Sequence, residues 1–313
     1  MSEMKQDMSW AYLIHLGYNM WCDWDSPEMK ERPYLCAKPC LRCDKSLWDD
    51  LVNRWPDAGI NMVVIDLGDG VRYDCCPEIA VEGAWSPDRL RLELTRLRQK
   101  GIEPIPKMNF STAHDAWLGR FSRCVSTEPY YAVCRQLIAE AIALFDRPRY
   151  FHLGMDEETA EHQRRYAYAV MRQHKLWWHD LGFLCEQVEK GGVRPWIWSD
   201  YLWRHPELFC EKMPNSVLQS NWYYGAEFNE GIEAVRAYLD LEGHGYDQVP
   251  TGSNWSCPEN FERTVAYCAD HISAARLKGF LQAPWKPTLE SARDDHFAAV
   301  EQVARARAAW EKR

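Results

Sequence analysis

Three consecutive acidic residues, Asp156, Glu157 and Glu158, directly follow an apolar run that begins at Tyr150. Adjacent carboxylates repel one another, so we expect at least one of them to hold its proton more tightly than an isolated acid does. Cleavage of a glycosidic bond uses that division, because a neutral acid protonates the leaving oxygen while a carboxylate stabilises the developing positive charge. The same acids would also suit the first turn of a helix. From the acids alone both interpretations stay open.

Eight short apolar runs alternate with helical patterns along the chain, and the acids stand at the end of the fourth run. The runs are Ala11–Asn19, Asn61–Asp66, Glu103–Asn109, Tyr150–Met155, Pro195–Asp200, Ser216–Trp222, Gln248–Asn254 and Gly279–Trp285. Strands that alternate with helices are typical of parallel βαβ units. Eight such units predict an α/β fold of the closed (β/α)8 TIM-barrel type. An open doubly wound sheet is the alternative, but no GxGxxG turn follows the first run.

The helical patterns between these runs have apolar residues at helical spacing. They cover Ser46–Trp55, Pro87–Lys100, Pro129–Phe145, Glu158–Lys190, Pro206–Lys212, Asn229–Leu241, Pro258–Leu277 and Leu289–Lys312. No linker rich in glycine, serine or proline divides the chain, so residues 1–313 are predicted to form a single catalytic domain. In such a barrel, functional side chains are expected at the carboxyl ends of the strands.

The composition narrows the class of ligand. The chain has 16 tryptophans, whereas average usage would give roughly four or five. Indole faces pack on the apolar C–H faces of sugar rings, so this excess favours a carbohydrate ligand. The formal net charge of -9 disfavours nucleic acid as a partner, and no apolar run approaches the roughly 18 residues of a membrane span. The first residues lack the features of a signal peptide, so we expect a cytoplasmic protein, either monomer or homodimer.

The segment from His152 to Glu157 reads His-Leu-Gly-Met-Asp-Glu and resembles the H-x-G-G-D-E signature of family 20 glycoside hydrolases, the β-N-acetylhexosaminidases. Other segments are similar to further strands of that family and occur in the same order: Pro104–His114, Pro195–Tyr201, Val217–Tyr224 and Gly279–Trp285. The resemblance covers the chain from about residue 100 to residue 290. The first hundred residues match only as a pattern of strands and helices.

This resemblance implies an exo-acting, retaining glycosidase of carbohydrate metabolism that cleaves a terminal β-linked N-acetylhexosamine without cofactor or metal. In that family the 2-acetamido oxygen of the sugar attacks its own anomeric carbon. By resemblance, Asp156 would orient the acetamido group, and Glu157 would act first as general acid and then as base. The residues implied as substrate contacts are His114, Trp198, Asp200, Trp222, Tyr223, Tyr224, Trp255, Trp285 and Asn19.

The chain departs from the family pattern around the predicted pocket. Met155 replaces the second glycine before the acids, and Asn19 ends the first strand without the arginine that binds sugar hydroxyls in the family. Lys107 and Asn109 stand where acids are usual. After Trp285 the chain continues Lys286-Pro287, whereas in the family a glutamate stands two residues after the tryptophan. The outer pocket therefore differs, and the identity of the sugar does not follow from the resemblance.

Three cysteines allow a different interpretation. Cys36, Cys40 and Cys43 have C-x3-C-x2-C spacing, which resembles the loop that binds a [4Fe–4S] cluster in radical SAM enzymes. Against this, Arg42 precedes the third cysteine where an aromatic residue is common, and the second strand is followed by Asp66-Leu-Gly-Asp-Gly-Val71, not by a segment of the GGEP type. A structural zinc site is a further possibility, with a fourth ligand from Cys22, Cys75 or Cys76. Otherwise the cysteines are reduced thiols of the protein interior.

Two more alternatives stay open. One is a sugar-binding barrel that has lost catalysis, because a fold does not guarantee an activity. The other is a metal-dependent hydrolase that uses His15, His114, His152 and Asp66, although no H-x-H or H-x-x-x-H spacing supports it.

Overall fold

The computed structural model describes residues 8–313. Residues 1–7, which belong to the predicted domain and to the segment searched for a signal peptide, lie outside the described residues. The strands are β1 Ser9–His15, β2 Met62–Asp66, β3 Glu103–Lys107, β4 Tyr150–His152, β5 Arg194–Trp198, β6 Leu218–Ser220, β7 Thr251–Gly252 and β8 Gly279–Gln282. Each strand overlaps one predicted run, which confirms the predicted strands. Most end earlier than predicted, because the polar residues at the end of each run belong to loops.

The eight strands form one parallel sheet that closes on itself. Their hydrogen-bonded order is β6-β5-β4-β3-β2-β1-β8-β7. The two end strands are joined by parallel bridges between Gln219 and Gln248 and between Trp222 and Thr251. This closure confirms the predicted (β/α)8 barrel and brings the carboxyl ends of all eight strands to one rim.

The helices that surround the barrel are α1 Lys45–Arg54, α2 Pro87–Gln99, α3 Glu128–Leu144, α4 Ala160–Gln163, α5 His174–Lys190, α6 Tyr201–Arg204, α7 Pro206–Lys212, α8 Glu233–Gly243, α9 Asn260–His271 and α10 Arg293–Trp310. Helix α2 follows the sequence rules closely, because the Ser86 hydroxyl accepts the backbone N–H of Arg89 at 3.2 Å and Pro87 occupies the first turn. Within residues 8–313 no helix has the length and apolar character that a membrane crossing requires.

The prediction of one long helix over Glu158–Lys190 is wrong in its first half. Residues 164–173 form a loop between α4 and α5. The Thr159 hydroxyl starts α4 by accepting the backbone N–H of His162. Farther along, the Glu158 carboxylate accepts the backbone N–H of Arg172 at 2.9 Å and its side-chain N–H at 2.8 Å. These bonds close the segment into a compact loop, because tertiary contacts override the helical propensity of its residues.

The barrel interior is apolar along most of its length and charged at the rim. Apolar side chains that include Leu13, Val64 and Trp196 fill the lower part. Above them lies a buried layer made by the last residues of the first four strands, which stand in register as His15, Asp66, Lys107 and His152. The Lys107 ammonium donates to the Asp66 carboxylate. Burial lowers the pKa of His15 and of His152, which favours their neutral forms. The charges of this layer are therefore those of the ion pair between Lys107 and Asp66.

Candidate active site

A cavity of about 280 Å³ opens at the carboxyl rim of the barrel. Its walls come from the loops after most of the strands and combine acids, histidines and aromatic rings. The lining residues are Met20, Trp21, Arg32, Tyr34, Leu35, Asn109, His114, Asp156, Glu157, His162, Trp222, Tyr224, Trp255 and Trp285. Active sites of this fold lie at the same rim.

The loop that carries the two acids has an unusual backbone. After β4, Gly154, Met155 and Glu157 have φ values of 72°, 76° and 54°. Each non-glycine residue in this left-handed region costs on the order of 1–3 kcal/mol. Asn109 offsets part of that cost, because its side-chain oxygen accepts the backbone N–H of Met155 at 3.1 Å. Non-glycine strain of this kind concentrates at functional sites, and here it turns the acids toward the cavity.

Asp156 is held at three points. Its Oδ1 accepts a hydrogen bond from the side-chain N–H of Asn109 at 2.8 Å, and its Oδ2 lies 3.4 Å from Nε2 of His114. The Ser111 hydroxyl donates to the Asp156 backbone carbonyl. The carboxylate is therefore buried and fixed in orientation before any ligand arrives.

Glu157 lies between two imidazoles. Nε2 of His114 is 3.2 Å from its Oε2, and Nε2 of His162 is 3.3 Å from its Oε1. Burial raises the pKa of the Glu157 carboxyl, but the hydrogen bonds from the two histidines outweigh burial and lower the pKa below its usual range. The hydrogen bond to Glu157 raises the pKa of His162. Burial lowers the pKa of His114, but the charge of Asp156 and the bond to Glu157 outweigh it and raise that pKa. All three shifts favour an ionised Glu157 carboxylate beside protonated imidazoles.

At Glu157 the lowered pKa runs against the expectation that an acid of this group holds its proton more tightly than an isolated acid. Glu158 forms a buried ion pair with Arg172 at 2.7 Å, and Arg172 also reaches Asp180 at 3.3 Å. Behind the acids, burial and the charge of Asp156 raise the pKa of the Asp200 carboxyl to about 7. Sequence neighbours avoid mutual repulsion here because each finds a cationic or hydrogen-bonding partner elsewhere in the fold.

Aromatic side chains form the upper walls of the cavity. Trp222 and Tyr224 stack with ring centroids 5.0 Å apart, and Trp21 meets Trp285 edge-on at 6.1 Å. Trp255 stands at the mouth and is 44% exposed. The Trp222 indole N–H and the Tyr224 hydroxyl find no hydrogen-bond acceptor in the described part of the chain. The walls thus offer apolar faces together with two unused donors, which suits a sugar ring with its hydroxyl or amide oxygens.

Seven of the eleven predicted site residues line this cavity, and the structure places the other four elsewhere. Trp198 lies inside the barrel, 1% exposed, with its ring 4.4 Å from that of His152. Asp200 lies behind the acids, where its Oδ2 accepts the backbone N–H of Glu157 at 2.9 Å. Tyr223 packs on Phe228. The fourth, Asn19, donates to Asp69 at 2.6 Å beneath the loop after β1.

Sequence reasoning missed several residues that line the cavity. Arg32 and Tyr34 belong to the long segment between β1 and α1, and its concentration of aromatic and basic residues was the available signal. His162 had no usable signal. In the long helix predicted there, a residue five positions after Glu157 would lie on a different face, because five residues turn about 140° beyond a full circle.

The structure does not bring the ligands of the predicted metal-dependent hydrolase to one place. The donor atoms of His114, Asp156 and Glu157 lie within 4.8 Å of one another, close enough to hold a cation. Hydrogen bonds from Asn109 and His162 already engage these carboxylates, so we assign no metal ligand. His15 and His152 lie in the buried layer below instead.

The cysteine-based alternatives are not supported by the positions of the thiols. Cys36 is buried beside Cys22, Cys40 is exposed, and Cys43 belongs to the main hydrophobic core. Within residues 8–313, cysteines contribute to no group of three or more side chains close enough to bind one metal ion. The three thiols of the C-x3-C-x2-C segment therefore do not converge on one site.

Comparison with known proteins gives a likeness of fold. No protein-family model and no curated protein sequence matches the chain. Among solved structures, it is similar to a β-N-acetylhexosaminidase from Bacteroides fragilis NCTC 9343, with a TM-score of 0.65, 13% identity, and coverage of 95% of this chain and 65% of that one. It is also similar to the exo β-N-acetylglucosaminidase of Vibrio harveyi in complex with N-acetylglucosamine. The TM-score is 0.63 and the identity 15%, with coverage of 95% of this chain and 54% of that one.

Dispersin B is also similar, with a TM-score of 0.61, 12% identity, and coverage of 96% of this chain and 99% of that one. The chain thus spans about half to two thirds of the length of the first two structures and nearly all of dispersin B. At these identities the likeness shows that the barrel is built in the same way.

Proposed function

We propose that the protein is an exo-acting, retaining glycoside hydrolase that releases a terminal β-linked 2-acetamido sugar. One observation carries this proposal: Asp156 and Glu157 stand at the floor of an aromatic-walled cavity at the barrel rim, with carboxyl oxygens within 4.8 Å of each other. The solved structures of similar fold support it, because they include β-N-acetylhexosaminidases and a complex with N-acetylglucosamine.

Asp156 suits the task of holding the acetamido group. Its carboxylate is fixed by Asn109 and keeps lone pairs that can accept the acetamido N–H. That hydrogen bond would direct the acetamido oxygen at the anomeric carbon and stabilise the charge that develops on the amide nitrogen. The Tyr224 hydroxyl, which finds no acceptor within residues 8–313, can donate to the same acetamido oxygen.

Glu157 suits the transfer of the proton. As the acetamido oxygen bonds to the anomeric carbon, the bond to the leaving oxygen breaks, and that oxygen takes a proton from Glu157. A water molecule then attacks the anomeric carbon and gives its proton back to Glu157 while the acetamido group is released. Glu157 thus gives up one proton in the first step and regains one in the second, so protons balance over the two steps. Because the anomeric carbon is attacked twice, its configuration is retained.

A sugar-binding barrel without catalysis is the second candidate, and the outer pocket favours it. Lys286 follows the cavity residue Trp285 and forms an ion pair with Asp295 at 3.2 Å, in the region where the family pattern has a glutamate. Without that carboxylate, the pocket lacks one acceptor for hydrogen bonds from the sugar hydroxyls. Both candidates bind a 2-acetamido sugar, and only the first cleaves its glycoside.

The test is hydrolysis of aryl glycosides with and without a 2-acetamido group. We expect Glu157→Gln to lower kcat by about 10²–10⁴-fold on glycosides with poor leaving groups and by less on activated ones. Asp156→Asn should reduce the rate only for 2-acetamido substrates. Exposed Glu161→Gln, whose carboxyl pairs with Arg164 on the surface, is the matched control.

Three results would count against the proposal. Normal turnover by Glu157→Gln would remove the assigned acid. Equal loss on both substrate classes in Asp156→Asn would remove neighbouring-group catalysis, and failure of a thiazoline analogue to inhibit would do the same. Tight binding of a 2-acetamido sugar with no hydrolysis by the unaltered protein would favour the sugar-binding barrel.

A further inference from the structure

Each carboxyl oxygen of Glu157 has its own imidazole. His114 approaches Oε2 at 3.2 Å and His162 approaches Oε1 at 3.3 Å. A general acid must turn one oxygen toward the leaving group, so one of these two contacts has to be given up or changed during the reaction. The surroundings of the two histidines decide which one that is.

His114 has little freedom to release its proton. Its side chain is 3% exposed, and the same Nε2 that faces Glu157 also lies 3.4 Å from Asp156. If His114 became neutral, Asp156 would lose its neighbouring cation inside a buried site, which is costly. The imidazolium of His114 is therefore best kept as the counterion of Asp156.

His162 has the opposite surroundings. Its side chain is 41% exposed, and its Nδ1 lies 2.8 Å from the hydroxyl of Thr159. After Nε2 gives a proton to Glu157, the ring stays hydrogen-bonded on both sides, because Nδ1–H donates to the hydroxyl and Nε2 accepts from the new carboxylic acid.

His162 also has access to solvent from two sides. It lines the main cavity and a second cavity of about 200 Å³ that shares Glu157 with it. The charged and titratable groups that face it from the site floor are Glu157, Asp156 and His114. Those that line the second cavity with it are Glu158, Arg172, Asp200, Arg204 and His205.

We propose that His162 is a positioning residue that stores the proton that Glu157 donates, an inference that rests on the proposed function. When substrate binds, the proton moves from Nε2 of His162 to Oε1 of Glu157, which leaves a neutral imidazole and a carboxylic acid. Glu157 protonates the leaving oxygen, regains a proton from the attacking water, and returns it to His162 as product leaves. No other reactant is needed, and protons balance over the cycle.

The pH profile of His162→Gln tests this storage. If His162 stores the proton, the free His162→Gln variant has no group that keeps this proton for Glu157. Its activity then falls as soon as rising pH deprotonates Glu157 itself. We expect the alkaline limb of kcat/KM on a poor leaving group to move to lower pH by about one unit or more. If His114 is the store, the variant keeps the full proton count and the limb stays in place.

The controls separate storage from a structural role and from failure of the proposed function. His244→Gln changes a remote, exposed histidine and should leave the profile unchanged. An activated aryl glycoside, which needs little protonation, should be cleaved by His162→Gln at close to the normal rate. A uniform loss on both substrates with an unmoved limb would overturn the inference while leaving the proposed function intact.

A measurement independent of turnover completes the test. In protein with ¹⁵N-labelled histidine, the titration of His162 should move to lower pH in Glu157→Gln, because the carboxylate that holds its proton is gone. An unchanged titration would overturn the inference even if the variant and the unaltered protein are both inactive.

Discussion

The side-chain amide of Asn109 donates a hydrogen bond to the Asp156 carboxylate at 2.8 Å. The oxygen of the same amide accepts the backbone N–H groups of Ser111 and Met155, each at 3.1 Å. One side chain at the end of β3 thus holds both the carboxylate and the strained backbone that precedes it. An acid at this position could not serve both roles, because it lacks the donor that faces Asp156.

Replacing Asn109 by aspartate is expected to impair catalysis in a pH-dependent manner. The change brings two carboxylates into contact, so the pair ionises fully only at raised pH and Asp156 loses its donor. We expect kcat/KM for a 2-acetamido substrate to fall about tenfold at pH 8 relative to the unaltered protein. The deficit should shrink toward pH 5, where a shared proton restores the hydrogen bond. Exposed Asn53→Asp is the control, and an equal deficit at both pH values would contradict this account.

Gly154→Ala is expected to destabilise the fold and distort the acid loop. A Cβ at this position would collide with the side-chain oxygen of Asn109, and φ is 72°. We expect the free energy of unfolding to fall by more than about 2 kcal/mol in urea denaturation. Gly101→Ala is a matched control, because φ is 74° but a Cβ would meet nothing within 4 Å. That control should cost only about 1 kcal/mol. Equal costs for the two variants would show that the contact with Asn109 is unimportant.

Arg172→Leu is expected to be strongly destabilising. It leaves the carboxylates of Glu158 and Asp180, 3% and 0% exposed, without their cation. Loss of one partner from a buried pair typically costs about 3–5 kcal/mol. The loss should diminish at low pH, where these acids can take up protons. Arg164→Leu breaks an exposed pair with Glu161 and should change stability by no more than about 0.5 kcal/mol. Similar values for both arginines would exclude the buried pair as a stabilising element.

Asp200→Asn is expected to stabilise the protein at alkaline pH. Burial and the charge of Asp156 raise the pKa of Asp200 to about 7 in the folded state. The folded state therefore binds more protons than the unfolded state between about pH 4 and pH 7, and this group makes stability fall as pH rises through that window.

The asparagine removes this penalty and can still accept the Glu157 backbone N–H. At pH 4 the two proteins should be almost equally stable, and at pH 8 the variant should be more stable by on the order of 4 kcal/mol. Denaturant titrations at both pH values, with exposed Asp57→Asn as control, provide the measurement. Equal stability at pH 8 would mean that Asp200 ionises without cost.

The alternation of apolar runs and helical patterns in the sequence was sufficient to predict the barrel and the position of the acids. Apolar runs between helices have to pair as parallel strands, and the carboxyl ends of parallel strands meet at one rim. For that reason Asp156, Glu157 and His114 were expected at the same place from sequence alone, and the structure puts them there. The sequence also predicted where the strands begin, because a strand buried on both faces of the sheet requires a continuous apolar run.

Only the tertiary structure decided which side chains reach the cavity and where the protons reside. Trp198 and Trp222 follow similar strand patterns, yet one fills the barrel and the other lines the cavity. His162 reaches Glu157 because a distant ion pair between Glu158 and Arg172 closes its loop. Ionisation depends on burial and on charges within a few ångströms, and those neighbours come from separate segments of the chain, beyond what local spacing encodes.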